Sequence, residues 1–259
     1  MINQTNIDRF SGFTDLYNAS RPAPPDIIVK SILMYLDAPP ALVADIGSGT
    51  GLSTMIWKDA AQQIIGIEPN EDMRARAASD AAANITYQSG YSDQTGLPDG
   101  GADVVTISQA FHWMDMGSTL DEVFRILKPG GVFAVYDCDW PPAVDRRIEQ
   151  AYETLRRKCR IIEAAKEKPA TRNDKGSYIG VFNSYGKFRF VKEIVLHSVE
   201  PCTPERMIGI ALSQGAMQEA MKLEPSVQED IGRFRDLVRE RRNGTFDIIF
   251  SYRLRLAIK

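Results

Sequence analysis

Cysteine is scarce: Cys138, Cys159 and Cys202 stand far apart in 259 residues and form no CxxC pair. That argues against a paired-cysteine metal site or a disulfide framework and leaves three thiols in a reducing compartment. An excess of one charge sign is also missing. With a formal net charge of −3, nothing electrostatic recommends nucleic acid as a partner. No apolar run approaches the ~20 residues of a membrane-spanning helix. The opening MINQTNIDRF lacks the basic, apolar, small-residue order of a secretory signal. The expectation is a cytoplasmic protein, monomer or homodimer, with neither membrane nor nucleic-acid partner. Internal repeats and low-complexity tracts are absent too, so the chain reads as one α/β domain.

What is present is an alternation. ALVADIG (41–47), QIIGIEP (63–69), NITYQS (84–89), ADVVTIS (102–108) and VFAVYD (132–137) are short apolar runs stopped by glycine, proline or polar residues, and read as buried strands. Between them lie stretches of helical composition: LSTMIWKDAA (52–61), EDMRARAASDAAA behind a capping Asn70, and about 117–127 before LKPGG. Strands alternating with helices predict a parallel sheet covered on both faces, with the loops after the strands along one ligand-binding edge.

The second half differs. Ile148, Tyr152, Leu155, Cys159 and Ile162 form one stripe of a helix predicted from Pro141 to about Lys168. The RRKCR cluster on it reads as a solvated face. TRNDKGS (171–177) reads as a loop, FRFVKEIVLHSV (188–199) as a strand carrying His197, and two helices are expected before Asn243. In TFDIIFSYRLRLAIK the apolar residues alternate strictly, which predicts an antiparallel strand closing an otherwise parallel sheet. The expected partition is a lid at 1–36, a cofactor-binding core at 37–140, a helical cap with one strand at 141–240, and the final strand at 241–259.

VADIGSGTGLST (43–54) begins to choose between a phosphate and an amino-acid ligand. A GxGxxG dinucleotide fingerprint needs glycine at 52, where this chain has Leu52. Asp45, just ahead of the glycines, repels a phosphate and suits an ammonium group. Glu68, 19 residues after Gly49, ends the second strand, where an acid accepts hydrogen bonds from ribose hydroxyls of any adenosine ligand.

Five segments in order, VADIGSGTG, GIEPNEDM, SGYSDQTGLP, ADVVTISQAFHWMD and RILKPGG, resemble the class I S-adenosylmethionine-dependent methyltransferases. The likeness covers about residues 40–137 and is strongest to small-molecule methyltransferases similar to trans-aconitate methyltransferase. It implies a Rossmann-like, seven-stranded, mostly parallel sheet with its last strand antiparallel, helices on both faces and a helical cap. It implies S-adenosyl-L-methionine as cofactor. Gly47, Ser48, Gly49 and Gly51 would then approach its methionine part, and Asp45 would orient the loop and the ammonium group. Glu68 and the adjoining Pro69 would meet the ribose, Met73 the adenine, and Ser92 and Asp93 the adenine edge. Ser108 and Gln109 would meet the amino-acid end.

On the acceptor side, His112 in QAFHWMD is a candidate base or hydrogen-bond donor, beside Trp113. Tyr17 and Arg21, in FTDLYNASRPAPP, fall in the segment that the resemblance makes a lid, and Arg21 suits a carboxylate. A closing lid favours a small-molecule methyl acceptor. Two other readings stay open: a nicotinamide-dependent oxidoreductase, and a methyltransferase-like domain that binds without catalysis.

Overall fold

The computed structural model describes residues 12–259; residues 1–11, the start of the expected lid, lie outside the described residues. Helices α1 (Thr14–Ser20) and α2 (Asp26–Leu33) precede the sheet. Then come β1 (Leu42–Ile46), β2 (Gln63–Ile67), α3 (Glu71–Ser79), β3 (Ile85–Gln88), β4 (Ala102–Ser108), α4 (Met116–Ile126) and β5 (Leu127–Cys138). The second half holds α5 (Arg146–Ala164), α6 (Tyr178–Tyr185), β6 (Phe190–Cys202), α7 (Pro204–Leu212), α8 (Gly215–Leu223), α9 (Val227–Arg241) and β7 (Phe246–Ile258).

The strands form one seven-stranded sheet in the order β3-β2-β1-β4-β5-β7-β6. β1 to β5 pair in parallel, and β7 runs antiparallel to both neighbours. The fold is therefore the expected α/β sheet, with one refinement: β7 lies inside the sheet and β6 forms its edge.

Side chains alternate between two cores, as the pleat requires. Val132, Ala134 and Tyr136 face the core built with α2, α5 and α7–α9, while Phe133 and Val135 face Leu120, Val123, Tyr178 and Phe182 of α4 and α6. The period-two set of β7, from Ile248 through Phe250, Tyr252 and Leu254 to Leu256, lies wholly in the first core. The α5 stripe Ile148, Tyr152, Leu155 and Cys159 packs there as well. Cys138, Cys159 and Cys202 are free and buried.

Four local expectations need correction. Residues 52–61 form turns around a short 3-10 element, Met55–Trp57, and not an α-helix. Ser53 and Thr54 donate their hydroxyls to Asp45, which winds the chain tightly over the sheet edge. The long helix begins at Arg146, where the Asp145 carboxylate caps Arg147 N and Ile148 N, leaving Pro141 and Pro142 outside it. Three helices, α7 to α9, precede Asn243 where two were expected, and α6 follows the 171–177 loop unforeseen. Among the described residues no helix is long and apolar enough to cross a membrane.

Candidate active site

The loop after β1 carries the opening motif. Gly47, Gly49 and Gly51 have φ of 70°, 56° and 86°, a region glycine enters without strain. Gly51 is also a close approach: a Cβ there would sit 2.4 Å from the Tyr87 hydroxyl oxygen. Asp45 is fully buried beneath the loop. Its carboxylate accepts from Ser53 Oγ at 2.7 Å, Thr54 Oγ1 at 2.7 Å and Thr106 Oγ1 at 2.8 Å. Burial raises its pKa against those three hydrogen bonds.

Most of the loop's donors are spent within the protein. Gly47 N and Ser48 N donate to Ile67 O, Gly49 N to Glu68 Oε2, and Gly51 N to Ser48 O. Glu68 takes a second hydrogen bond from Asn70 N at 2.8 Å on its other oxygen. Its pKa is raised, mainly by burial, with the two backbone donors opposing the shift. Asn70 in turn caps α3 by accepting from Met73 N, and Met73 is 3% exposed. Pro69 is half-buried, with its carbonyl accepting from Arg74.

Above the loop opens a cleft that holds about 510 Å³ when the solvent at its mouth is counted. Gly47, Ser48, Gly49, Ser108 and Gln109 line it from the sheet edge, and Tyr17, Arg21, Pro22 and Pro24 from the N-terminal segment. Ser48 Oγ and Thr50 Oγ1 are buried with no hydrogen-bond partner among the described residues, and both residues line the cavity. Two such hydroxyls suit a polar ligand, since an unpaired buried hydroxyl costs about 1–3 kcal/mol.

Among the described residues Arg21 is the one charged side chain in this lining. It stacks between Tyr17 and Trp140, its guanidinium carbon 4.8 and 4.7 Å from the ring centroids. Its Nε donates to Ser213 Oγ at 3.0 Å and Nη2 to Ser213 O at 3.1 Å. Arg21 follows α1 and Ser213 follows α7, and those helices meet where Gly209 clears room for Ser20.

The structure does not bring every sequence candidate to the cavity. His112 is buried and absent from the lining, its Nδ1 4.0 Å from Asp137 Oδ1 and its ring tilted 44° against that of Trp113 at 4.5 Å. The short 3-10 turn Phe111–Trp113 folds it inward beneath the post-β4 loop. Asp93 is exposed, and Ser92 Oγ accepts from Thr119 Oγ1; neither lines the cavity. Asp45 lies under the loop, out of the lining, and Gly51, Glu68, Pro69 and Met73 do not line the cavity either. His197 sits on the edge strand with Ser251.

Sequence reasoning missed Trp140 and Tyr252, which line the cavity from beyond β5 and from β7. Tyr252 was hidden as one more member of an alternating apolar set. It also missed a polar network behind Gln109. Asp137, 2% exposed, pairs with Lys175 Nζ at 2.6 Å and Arg255 Nη1 at 3.5 Å.

A sheet in the order 3-2-1-4-5-7-6 with β7 reversed, glycine loop after β1 and acid after β2, defines the class I methyltransferase fold. A solved structure from Anaeromyxobacter dehalogenans, described as a type II methyltransferase, superposes with a TM-score of 0.69 at 18% identity, covering 92% of this chain and 97% of that one. Residues 44–135 match the methyltransferase domain family. A Dictyostelium discoideum protein named as a methyltransferase is 27% identical over 129 residues, 50% of this chain and 48% of its own length. A Mycobacterium bovis protein named as an uncharacterized methyltransferase is 30% identical over 124 residues, 47% of this chain and 49% of its own length. The chain thus spans about half the length of the curated relatives it matches. Residues 44–135 thus match the methyltransferase domain family, set in a fold shared with solved methyltransferase structures.

Proposed function

We propose that the chain binds S-adenosyl-L-methionine and transfers its methyl group to a small-molecule acceptor. The observation that carries this reading is the state of the glycine loop. Its N–H groups at Gly47, Ser48, Gly49 and Gly51 are bonded within the protein. A dinucleotide's pyrophosphate needs such donors free, whereas an adenosine bearing an amino acid does not.

Glu68, Pro69 and Met73 would hold the nucleoside. Gly47, Ser48, Gly49, Ser108 and Gln109 would hold the amino-acid end, with Asp45 fixing the loop from below. Ser92 and Asp93 would contribute at the adenine edge only if their loop closes inward. The bound cofactor supplies an activated methyl for in-line displacement. What remains for the chain's own residues is to position the reactants and exclude water. Tyr17, Arg21, Trp140 and Tyr252 would form the acceptor wall, roofed by residues 12–36 and the helices within 141–240. Among the described residues the lining has no histidine or carboxylate to take a proton. That favours an acceptor already ionised at neutral pH, such as a carboxylate, facing Arg21.

Thermal melting with S-adenosylhomocysteine and with NAD tests the cofactor reading. A ligand of the folded state at 100 times its dissociation constant adds ~2.7 kcal/mol. The expected result is a rise with S-adenosylhomocysteine and none with NAD; the reverse overturns the reading. For a carboxylate acceptor, Arg21→Ala should raise KM more than it lowers kcat.

A further inference from the structure

The loop 171–177 packs over the segment that follows β4. Asn173 N donates to His112 O, and Asn173 Nδ2 to Met114 O, both at 2.8 Å. Lys175 reaches deepest: its Nζ donates to Gln109 Oε1 at 3.0 Å while pairing with Asp137 Oδ1 at 2.6 Å. Asp137 is held in turn by Arg255, whose Nε donates to Glu193 Oε2 at 2.6 Å. Gln109 itself has φ of 54°, an uncommon conformation for a residue other than glycine. Its backbone is fixed there by Gln109 N donating to Tyr136 O.

A glutamine amide has one accepting and one donating side. The ammonium of Lys175 can only donate, so it claims the oxygen and fixes which way the amide is turned. Gln109 lines the cavity, and the side left for a ligand there is the NH2 group. We infer that Lys175 is a positioning residue that turns Gln109 into a hydrogen-bond donor for the carboxylate of the cofactor's amino-acid end. The inference rests on the cofactor reading above. Its chemistry is specific: an NH2 group serves a carboxylate and rejects an ammonium, so the two ends of the amino acid are told apart at this corner.

Calorimetry with two ligands tests it: S-adenosylhomocysteine, which carries the carboxylate, and 5′-methylthioadenosine, which lacks the whole amino-acid end. Lys175→Met should weaken S-adenosylhomocysteine about tenfold and leave 5′-methylthioadenosine unchanged. That second ligand also reports that the variant is folded. Lys175→Arg should restore most of the affinity, because it keeps a donor toward Gln109. Gln109→Leu should show the same selective loss, and combining it with Lys175→Met should add little, as expected of residues acting through one contact. Equal weakening of both ligands, full affinity in Lys175→Met, or additive losses overturns the inference. A wild-type protein that binds neither ligand overturns the cofactor reading, and this one with it.

Discussion

Two corners of the cavity are built on opposite plans. The corner after β1 is held by near neighbours in sequence: Asp45 takes the hydroxyls of Ser53 and Thr54, and Glu68 ties Gly49 to Asn70. Thr106 is its one distant support. The corner after β4 is held from afar: Gln109 by Lys175, 66 residues on, and Lys175 by Asp137, which Arg255 backs from 118 residues further along. A corner made locally can be recognised as a motif. A corner made by residues that only the finished fold brings together leaves no pattern to read.

If the distant corner depends on buried charge, Asp137→Ala should be the most damaging substitution. It strips the acid from between Lys175 and Arg255, and Arg255 is only 3% exposed. Breaking a buried pair costs about 3–5 kcal/mol, and urea denaturation should show a loss of that order. A loss under 1 kcal/mol would mean that Glu193 alone satisfies Arg255.

Asp45→Ala tests the local corner. Three hydroxyls lose their acceptor, at about 1 kcal/mol each, so roughly 3 kcal/mol of stability should go. The same denaturation measurement ranks the two corners directly.

Glu68→Ala should act on binding as well as on folding, because the buried carboxylate also accepts from Gly49 N and Asn70 N. Losing a charged hydrogen bond to ribose costs about 1.5–3 kcal/mol of affinity. Calorimetry with S-adenosylhomocysteine that gave wild-type affinity for the folded variant would remove Glu68 from the site.

The smallest effect is one of pH. Burial raises the Glu68 pKa in the folded protein. The stability this group contributes is therefore present below its unfolded pKa and lost as pH rises through the folded value. Ligand binding runs the other way, because the ionised carboxylate is the better acceptor. Affinity should weaken on acidification already above the ordinary glutamate range, and Glu68→Gln should flatten that dependence in a pH series.

The strands themselves were legible because burial and alternation write themselves into short windows, although β5 begins at Leu127, inside the LKPGG that read as a turn, and β6 runs on to Cys202. Val104 and Val105 belong to opposite cores, as their neighbouring positions in a strand require. The stretch 52–61 was misread because its composition suits a helix, while Asp45 draws Ser53 and Thr54 into turns instead. His112 looked exposed to the cavity by its place after β4; the 3-10 turn that withdraws it has no signature of its own. Lys175 sat unnoticed in a polar loop, since nothing near it in sequence names Gln109 or Asp137 as its partners.

The place of β7 bears on how the molecule assembles. Among the described residues β6 pairs with β7 and with no other strand. During synthesis, residues 190–202 therefore emerge as an extended segment with no sheet edge to join until residues 246–258 follow. The core of α5 and α7–α9 likewise lacks its floor of Ile248, Phe250, Leu254 and Leu256 until then. Non-local pairing of this kind slows folding and leaves apolar surface exposed in the interval. A nascent chain halted before residue 246 should thus engage chaperones through its second half, while β1–β5 are already able to pair.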